Sequence, residues 1–357
     1  MSSSSSHRPV LPCLAVEHGT NSDGQSKSTA FFSAADAESN DNKKPVAAAA
    51  VLALPPELLE SKPSAVFCPT PLGWILVREC GDAATGSGIT YLLHPQAPEK
   101  KIQLPPLRGI DDGPLIRCNC LLSDQPTSPA GGCVILLVQQ NDTVIWYHRI
   151  SSGSDVWIRR EYDIGTQGDD YFREKIPIVP IAAYQGKFYF NCTPTDMGVL
   201  HFSSSPDEDP VFSSITTDAV PSPWGKGGSA RVFLLESNGE LYMVHLTLTV
   251  PRNFQPLATG SSSYPAILVY RMDFSHRRWL LVKDLRDRAF FVASPNSFGA
   301  SCLAAAAGVE PNCVYSICNK SFTIYNIKNG TSRVHSFAHP SESIRRMSWM
   351  LPTDPKA

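Results

Sequence analysis

The sequence predicts an all-β fold, a single β-propeller of about six four-stranded blades that strands from both ends of the chain close. In the 357 residues, 30 prolines and 23 glycines separate short apolar runs, which is typical of strands joined by turns. Three kinds of segment recur five times in the same order, and such repetition is the signature of a repeat architecture. Helical periodicity is scarce, with candidates at residues 56–60 and 300–307.

The first two segments of each repeat are apolar strands. The first strand occurs at residues 66–69, 118–122, 178–184, 232–236 and 290–293. The second strand opens with a glycine in four repeats and with an asparagine in the fifth, at Gly73, Gly132, Gly186, Gly239 and Asn312. Glycine therefore separates the two apolar runs in four of the five repeats.

The third segment is a hairpin anchored by an aromatic residue. Its anchors are Tyr91, Tyr147, Phe202, Tyr270 and Tyr325, so successive repeats are 56, 55, 68 and 55 residues apart. An insertion rich in Pro, Gly and Ser between Thr247 and Pro265 explains the long step. Two of the hairpins are close copies of each other, and they end on Trp157 and Trp279.

Each repeat therefore holds about four strands, as a propeller blade does. A sheet with two apolar faces cannot bury both alone, so neighbouring blades must cover them. Residues 133–138 fit this arrangement, because they are apolar at every position rather than at alternate ones. The leftover strands at residues 13–16, 30–33 and 346–351 are predicted to form a sixth, closing blade, which removes exposed sheet edges.

We expect one domain over residues 12–352, in which 36–62 is a connector, with a disordered Ser-rich tail at 1–11 and a short tail at 353–357. The net charge of −2 gives no electrostatic reason to expect nucleic acid or an acidic membrane as a partner. No stretch approaches the roughly 18 apolar residues of a membrane span. The N-terminus lacks a signal-peptide core, which predicts a cytoplasmic or nuclear protein with free thiols. We expect a monomer.

Several cysteines resemble functional residues, but each has a structural explanation. The pairs Cys118/Cys120 and Cys313/Cys318 lack the spacing of structural zinc ligands, and small apolar residues on strands explain them. Cys302 with a histidine would be a nucleophile pair. No nucleophile elbow or oxyanion loop surrounds it, so a buried thiol is the better interpretation.

The other candidate groups lie in predicted loops. Residues 224–229 are rich in glycine and carry a lysine, but they do not match a phosphate-binding loop. The acidic runs at 207–209 and 111–112 indicate solvated turns and match no EF-hand loop. His-Arg-Arg-Trp at 276–279 indicates a hairpin turn with a packing Trp, and it is a candidate protein contact. The sequence therefore predicts no catalytic residue, no cofactor and no metal.

The same residues resemble a plant family, the domain of unknown function 295 or KIB-type β-propeller family. Pro-Leu-Gly-Trp-Ile-Leu-Val at 71–77 and Ile-Gln-Leu-Pro-Pro-Leu at 102–107 resemble its early segments. Asp-Arg-Ala-Phe-Phe at 287–291, Ser-Cys at 301–302 and Pro-Asn-Cys-Val-Tyr at 311–315 resemble its later ones, and Trp-Met-Leu-Pro at 349–352 resembles the end of cereal members. Arg286 departs from the pattern, because the family usually has glycine there, and this puts the tight turn in doubt.

The resemblance implies a protein-interaction module. Many relatives carry an F-box and resemble substrate receptors of ubiquitin ligases, and one subgroup is associated with binding a kinase. Residues 54–59, Leu-Pro-Pro-Glu-Leu-Leu, resemble the opening of an F-box, but Ser-Lys-Pro-Ser at 61–64 interrupts it, so we expect no working F-box. The resemblance thus implies a protein partner, such as a kinase or a ubiquitin-ligase substrate.

The predicted function is a non-enzymatic scaffold or adaptor. Propeller loops from several blades converge on one face, and the candidate docking loops are residues 81–88, 165–173, 220–229 and 251–264. The sequence does not identify individual partner-binding residues. The alternatives left open are an enzyme with its site in the central channel and a degenerate family member.

Overall fold

The computed structural model describes the chain in fifteen pieces. They are residues 11–18, 28–34, 65–79, 88–128, 132–150, 156–168, 173–193, 195–203, 205, 208–220, 229–249, 267–294, 296–318, 321–335 and 344–353. Their strands form six sheets around a central channel, together with one separate two-stranded ribbon. The predicted all-β propeller with six blades is confirmed.

The strands follow one another around the ring, and we number the blades 1–6 from the chain's N-terminal strands. Blade 1 begins with β1 (Cys13–His18) and β2 (Ser28–Ser33). Blade 2 contains β3 (Val66–Pro69), β4 (Ile75–Glu79), β5 (Ile89–Leu93) and β6 (Lys101–Leu104). Helix α1 (Asp112–Ile116) leads to blade 3, with β7 (Asn119–Leu122), β8 (Val134–Val138), β9 (Val144–Arg149) and β10 (Ile158–Glu161).

The ribbon of β11 (Thr166–Gly168) and β12 (Arg173–Lys175) separates blade 3 from blade 4. Blade 4 contains β13 (Ile181–Tyr184), β14 (Lys187–Thr193), β15 (Asp196–His201) and β16 (Val211–Thr216). Blade 5 contains β17 (Ser229–Ser237), β18 (Glu240–Thr249), β19 (Ile267–Asp273) and β20 (Arg278–Val282). In blades 2–5 the four strands pair antiparallel in chain order.

Blade 6 departs from the repeat. It contains β21 (Arg288–Ala293), β22 (Phe298–Leu303), helix α2 (Ala304–Ala307), β23 (Cys313–Cys318), β24 (Ser321–Asn326) and β25 (Ser332–His335). The strand order is β22-β21-β23-β24-β25, and β21 runs parallel to β23. Residues 290–293 form a strand, as the first segment of the fifth repeat predicted, but the chain adds β22 beside it on the channel side.

The helix candidate at residues 300–307 was also partly wrong. Its first four residues belong to β22, and only Ala304–Ala307 is helical. The helix ends at Gly308, whose φ of 64° places it in the left-handed region, as is common after a helix C-terminus. The other helix candidate, residues 56–60, lies outside the described residues, and α1 was not predicted.

The closing blade forms as predicted from both ends of the chain. Strand β26 (Ile344–Met350) pairs antiparallel with β1, which in turn pairs with β2. Cys13 lies opposite Met350 on one side and opposite Ser33 on the other. The guanidinium Nη1 of Arg346 donates to the carbonyl of Phe67 at 2.6 Å, which joins the inner strands of blades 1 and 2.

The core lies between the blades. Six clusters of buried apolar residues occur in the described chain, and each one joins two neighbouring blades. Strand β8 shows how one sheet serves two clusters, because Ile135 and Leu137 face blade 2 whereas Leu136 and Val138 face blade 4. Both faces of the blade are therefore apolar, as the continuous apolar run at residues 133–138 predicted.

Tight turns join the first two strands of blades 2, 4 and 5, and a longer connection joins them in blade 3. Gly73, Gly132, Gly186 and Gly239 all have a φ between 73° and 82°, which glycine adopts without steric penalty. In blade 6 the corresponding Asn312 has a φ of 62°. The recurring glycines, and the asparagine in the fifth repeat, thus mark positions where the backbone must be left-handed.

The alternation of strand directions gives the ring two distinct faces. On the turn face, the first strand of each regular blade turns into the second at these glycines, and the third turns into the fourth. On the loop face, the second strand leads to the third, and the fourth leads to the next blade. We use these two names below.

Candidate functional site

All four loops predicted to dock a partner connect strand ends on the loop face. Residues 81–88 join β4 to β5, and residues 251–264 join β18 to β19. Residues 165–173 lie between blades 3 and 4, and residues 220–229 lie between blades 4 and 5. Only residues 88, 165–168, 173, 220 and 229 of these loops belong to the described part of the chain.

The best-described loop is the β11–β12 ribbon. Thr166 lies opposite Lys175 and Gly168 lies opposite Arg173, so these four residues share one face of the ribbon. Every residue of both strands is exposed. The ribbon therefore presents a solvated face with two basic side chains, Arg173 and Lys175, on the loop face of the ring.

The β21–β22 turn crosses the channel at the loop face. The side-chain amide of Asn296 donates to the carbonyl of Ile116 at 3.2 Å. The amide of Gln140 donates to Ser297 Oγ at 3.4 Å. Ile116 leads into blade 3 and Gln140 lies in the β8–β9 turn, so these bonds join blade 6 to the opposite side of a six-bladed ring. We call residues 296–297 the strap.

The channel below the strap opens on the turn face. Its lining includes residues from the inner strands or turns of blades 2–6: Pro71, Leu72, Leu121, Leu122, Ala182, Ala183, Glu236, Arg288, Gly299 and Ser301. Blades 2, 3 and 4 contribute apolar residues, whereas blades 5 and 6 contribute the polar ones. The channel has room for about three water molecules.

The polar side of the channel is built around Arg288. Its Nε donates to Ser237 Oγ at 3.2 Å, and its Nη2 donates to Ser301 Oγ at 2.7 Å. Ser301 Oγ in turn donates to the carbonyl of Glu236 at 3.3 Å. The Glu236 carboxylate accepts the Gly239 N–H at 2.7 Å. Hydrogen bonds thus fix both a guanidinium and a carboxylate at the channel wall.

A second charged group lies on the second and third strands of blade 5. Arg271 donates to Glu240 Oε1 at 2.5 Å, and the Tyr242 hydroxyl donates to Glu240 Oε2 at 2.7 Å. Burial alone would raise the pKa of Glu240, but the hydrogen bonds from Tyr242 and Arg271 outweigh it and hold that pKa below its usual value. Glu240 therefore stays ionised.

The described channel lining bears on the enzymatic alternative. That alternative called for clustered Asp, Glu and His in the channel. Among the described lining residues there is one carboxylate, Glu236, and no histidine. The strap covers the loop-face end, so the described openings of the channel lie on the turn face.

The candidate cysteine sites consist of buried thiols. Cys118 and Cys120 lie near Cys68, and burial raises the pKa of all three thiols. Cys302 is fully buried in the core between blades 6 and 1, as expected of a structural thiol. Cys313 donates to Glu310 Oε2 at 3.5 Å. No group of three or more metal-ligating side chains suited to an ion occurs among the described residues.

The predicted loop groups are placed as follows. Asp112 forms an ion pair with Arg78 and starts α1, so the acidic pair at 111–112 serves the contact between blades 2 and 3. His276, Arg277 and Arg278 are exposed in the β19–β20 turn, and Trp279 packs partly buried between blades 4 and 5. Residues 224–228 and 206–207 lie outside the described chain.

The tight turn at Arg286 is retained without glycine. Arg286 has a φ of 61°, and its N–H donates to Asp284 Oδ1 at 2.8 Å. The Asn312 side chain accepts the Leu285 N–H at 2.6 Å and donates to the Arg286 carbonyl at 3.0 Å. Side-chain hydrogen bonds therefore support a backbone conformation that glycine would adopt more easily.

Sequence reasoning missed the strap, Arg288 as a channel residue, and the pairing of Glu240 with Arg271. Asn296, Ser297 and Gln140 carry no motif, and their partners lie 157 and 180 residues away.

No helix in the described chain has both the length and the apolar character needed to span a membrane.

The chain is similar to a known protein family, to a plant protein and to a solved structure. The family described as KIB1-4 beta-propeller matches residues 47–336. The F-box protein At2g17036 of Arabidopsis thaliana is 33% identical over 96 residues, which are 25% of this chain and 22% of that protein. AofleA from Arthrobotrys oligospora aligns over 82% of this chain and 90% of its own, with 11% identity and a TM-score of 0.30, which is too low to carry an argument.

The family match runs from before β3 to just beyond β25, and so it spans blades 2–6. The repeats, the glycine turns and the motifs at residues 287–291 and 311–315 all lie inside it. This chain belongs to the KIB1-4 β-propeller family.

Proposed function

We propose that this chain is a non-enzymatic scaffold or adaptor that binds a protein partner through its loop face. The placement of the connections carries the proposal, because the strand ends that all four long loops connect, and the exposed ribbon, lie on that one face. Hydrogen bonds from the strap hold opposite blades together, which keeps this surface rigid. A rigid scaffold that positions variable loops is a common architecture for recognition.

The family supports a partner from protein signalling or turnover. The matched Arabidopsis protein is named an F-box protein, and the resemblance implies a kinase or a ubiquitin-ligase substrate as the partner. The residues that resemble an F-box opening, 54–59, lie outside the described chain. Because Ser-Lys-Pro-Ser at 61–64 interrupts the resemblance to an F-box, we propose a propeller adaptor without a working F-box, in the cytoplasm or nucleus.

Quantitative affinity purification of the full chain tests this function. The ribbon variant combines Arg173→Glu with Lys175→Glu, and the matched control combines Arg277→Glu with Arg278→Glu on the turn face. We expect the ribbon variant to lose defined partners that the wild type and the control both retain, because charge reversal on a contact surface weakens association. Identical partner sets for all three proteins would refute docking through the loop face.

A further inference from the structure

We propose that the channel mouth on the turn face binds the carboxamide of a glutamine or asparagine side chain from a protein partner. The biological source of the amide rests on the proposed interaction function. The site itself is separate from the loop face and consists of the channel residues described above.

The channel forms a cup rather than a pore. The strap bonds to Ile116 and Gln140 across the loop-face end. At the other end, Pro71 and Leu72 belong to the first turn of blade 2, and Glu236 and Arg288 lie where β17 ends and β21 begins. A ligand therefore enters from the turn face and meets a floor.

The size of the cup selects a side-chain tip. Space for about three water molecules corresponds to the three heavy atoms of a carboxamide. Leu121, Leu122 and Ala182 line the apolar side, where the methylene groups of an inserted side chain lose contact with water. Burial of such groups against apolar residues favours binding.

The polar side selects the head group. Glu236 supplies a carboxylate, which accepts hydrogen bonds, and Arg288 supplies a guanidinium, which donates them. An amide donates to the first and accepts from the second, and it carries no charge. A carboxylate head would face Glu236 and an ammonium head would face Arg288, so each would meet one like charge in a partly buried site.

Three blocked amino acids, which share one backbone and differ in their side chains, test the head group directly. The probes are N-acetyl-glutamine, N-acetyl-glutamate and N-acetyl-lysine, each as its methylamide, added to full-length protein labelled with ¹³C at alanine methyl groups. We expect saturable shifts of the Ala182 and Ala183 methyl signals with the glutamine probe. The other two probes should bind about tenfold more weakly, which corresponds to about 1.4 kcal/mol, since one of their polar contacts is replaced by a like charge.

Two variants make the assignment specific. Glu236→Gln removes the negative charge and keeps the side-chain shape. The affinity for the glutamate probe should therefore rise relative to the affinity for the glutamine probe. Ala183→Leu fills the cup and should abolish the Ala182 shift, whereas Ala306→Leu, at an exposed position on α2, should leave binding unchanged. If Ala183→Leu fails to fold, the relative affinities of the probes for Glu236→Gln decide whether the site is correctly assigned.

Two outcomes would overturn the site. One is the absence of saturable shifts at both alanines, and the other is equal binding of the three probes. Because no partner is used, this result is independent of the affinity purification. If the ribbon variant loses its partners and no probe binds, the proposed function is supported and the amide site is refuted.

Discussion

Blades 2–5 and the two blades at the seam, 1 and 6, solve the same packing problem by different means. In blades 2–5, four strands pair in the order in which they occur in the chain, so neighbouring strands are neighbours in the chain. In blade 1, β26 pairs with β1 from the opposite end of the chain, and in blade 6 the chain reverses to add β22 beside the channel. Local turn chemistry specifies the regular blades, whereas long-range packing specifies the seam.

The largest expected effect comes from removing the seam strand. Deletion of residues 344–357 takes away the inner strand of blade 1 and with it Trp349, which is buried at 1% exposure between blades 1 and 6. We expect loss of cooperative folding of the whole ring, because two neighbouring cores and the Arg346 contact with Phe67 are lost together. Circular dichroism and calorimetric melting measure this.

A shorter truncation is the control. Deletion of residues 354–357 leaves β26 and the Thr353 contact with Gln96 at 3.0 Å in place, and it should melt like the full chain. A cooperative, unshifted transition for the 344–357 deletion would show that blades 2–6 are stable without closure.

A pair of glycine substitutions separates the two kinds of blade. At Gly299 on β22, an added Cβ would lie 2.4 Å from the carbonyl oxygen of Leu234 on β17, so Gly299→Ala forces the two inner strands apart. We expect a loss of about 2–3 kcal/mol in unfolding free energy from this overpacking. At Gly239, in a regular turn, an added Cβ meets nothing within 4 Å.

The second substitution, Gly239→Ala, tests backbone conformation alone. Its φ of +73° disfavours alanine by about 1 kcal/mol, so this variant should lose less stability than Gly299→Ala. Urea denaturation of both variants gives the ranking. Equal losses, or a larger loss at Gly239, would contradict the close packing of β22 against β17.

Acid stability should report on the regular blades. His245 lies on β18, and burial lowers its pKa from 6.5 to about 4. A histidine that is harder to protonate when folded stabilises the fold above pH 6.5, and this stability is lost as the pH falls towards 4. Between pH 7 and pH 5 the loss from this group should be about 2 kcal/mol.

The variant His245→Phe isolates that contribution. Urea denaturation at pH 7 and pH 5 should show a smaller difference for the variant than for the wild type. Part of the difference should remain, because burial also lowers the pKa of His94 and His335. The same difference in both proteins would show that His245 is accessible to protonation in the fold.

Sequence repetition was sufficient for the regular part of the fold and for its closure. Four apolar strands and their glycines predicted the inner hairpins of blades 2–5, because turn geometry demands left-handed residues at fixed places. Leftover strands predicted blade 1. The β22 insertion was missed because Gly-Ala-Ser-Cys-Leu-Ala-Ala at 299–305 has small residues that fit a strand, a helix or a close contact.

The candidate site was less predictable than the fold. The four candidate docking loops were identified as long connections, and the common face of the strand ends that they connect follows from the number of strands in a blade. The cup was not found, because Ala182, Leu121 and Glu236 come from separate blades and carry no local pattern. Sites of this kind depend on the arrangement of the whole ring, which a single sequence does not encode in any one segment.

The smallest expected effect concerns the one turn in which the seam departs from the glycine pattern. Asn312→Gly restores the residue that blades 2–5 use and relieves a left-handed φ of 62°. It also removes two side-chain hydrogen bonds, to the Leu285 N–H and the Arg286 carbonyl. Each bond contributes about 1 kcal/mol, so the two bonds together exceed the roughly 1 kcal/mol of strain that glycine relieves. We expect a net loss of about 1 kcal/mol in unfolding free energy, measured by urea denaturation. A stabilised variant would show that the turn of blade 6 is specified locally, like those of the regular blades, rather than by its contact with residues 284–286.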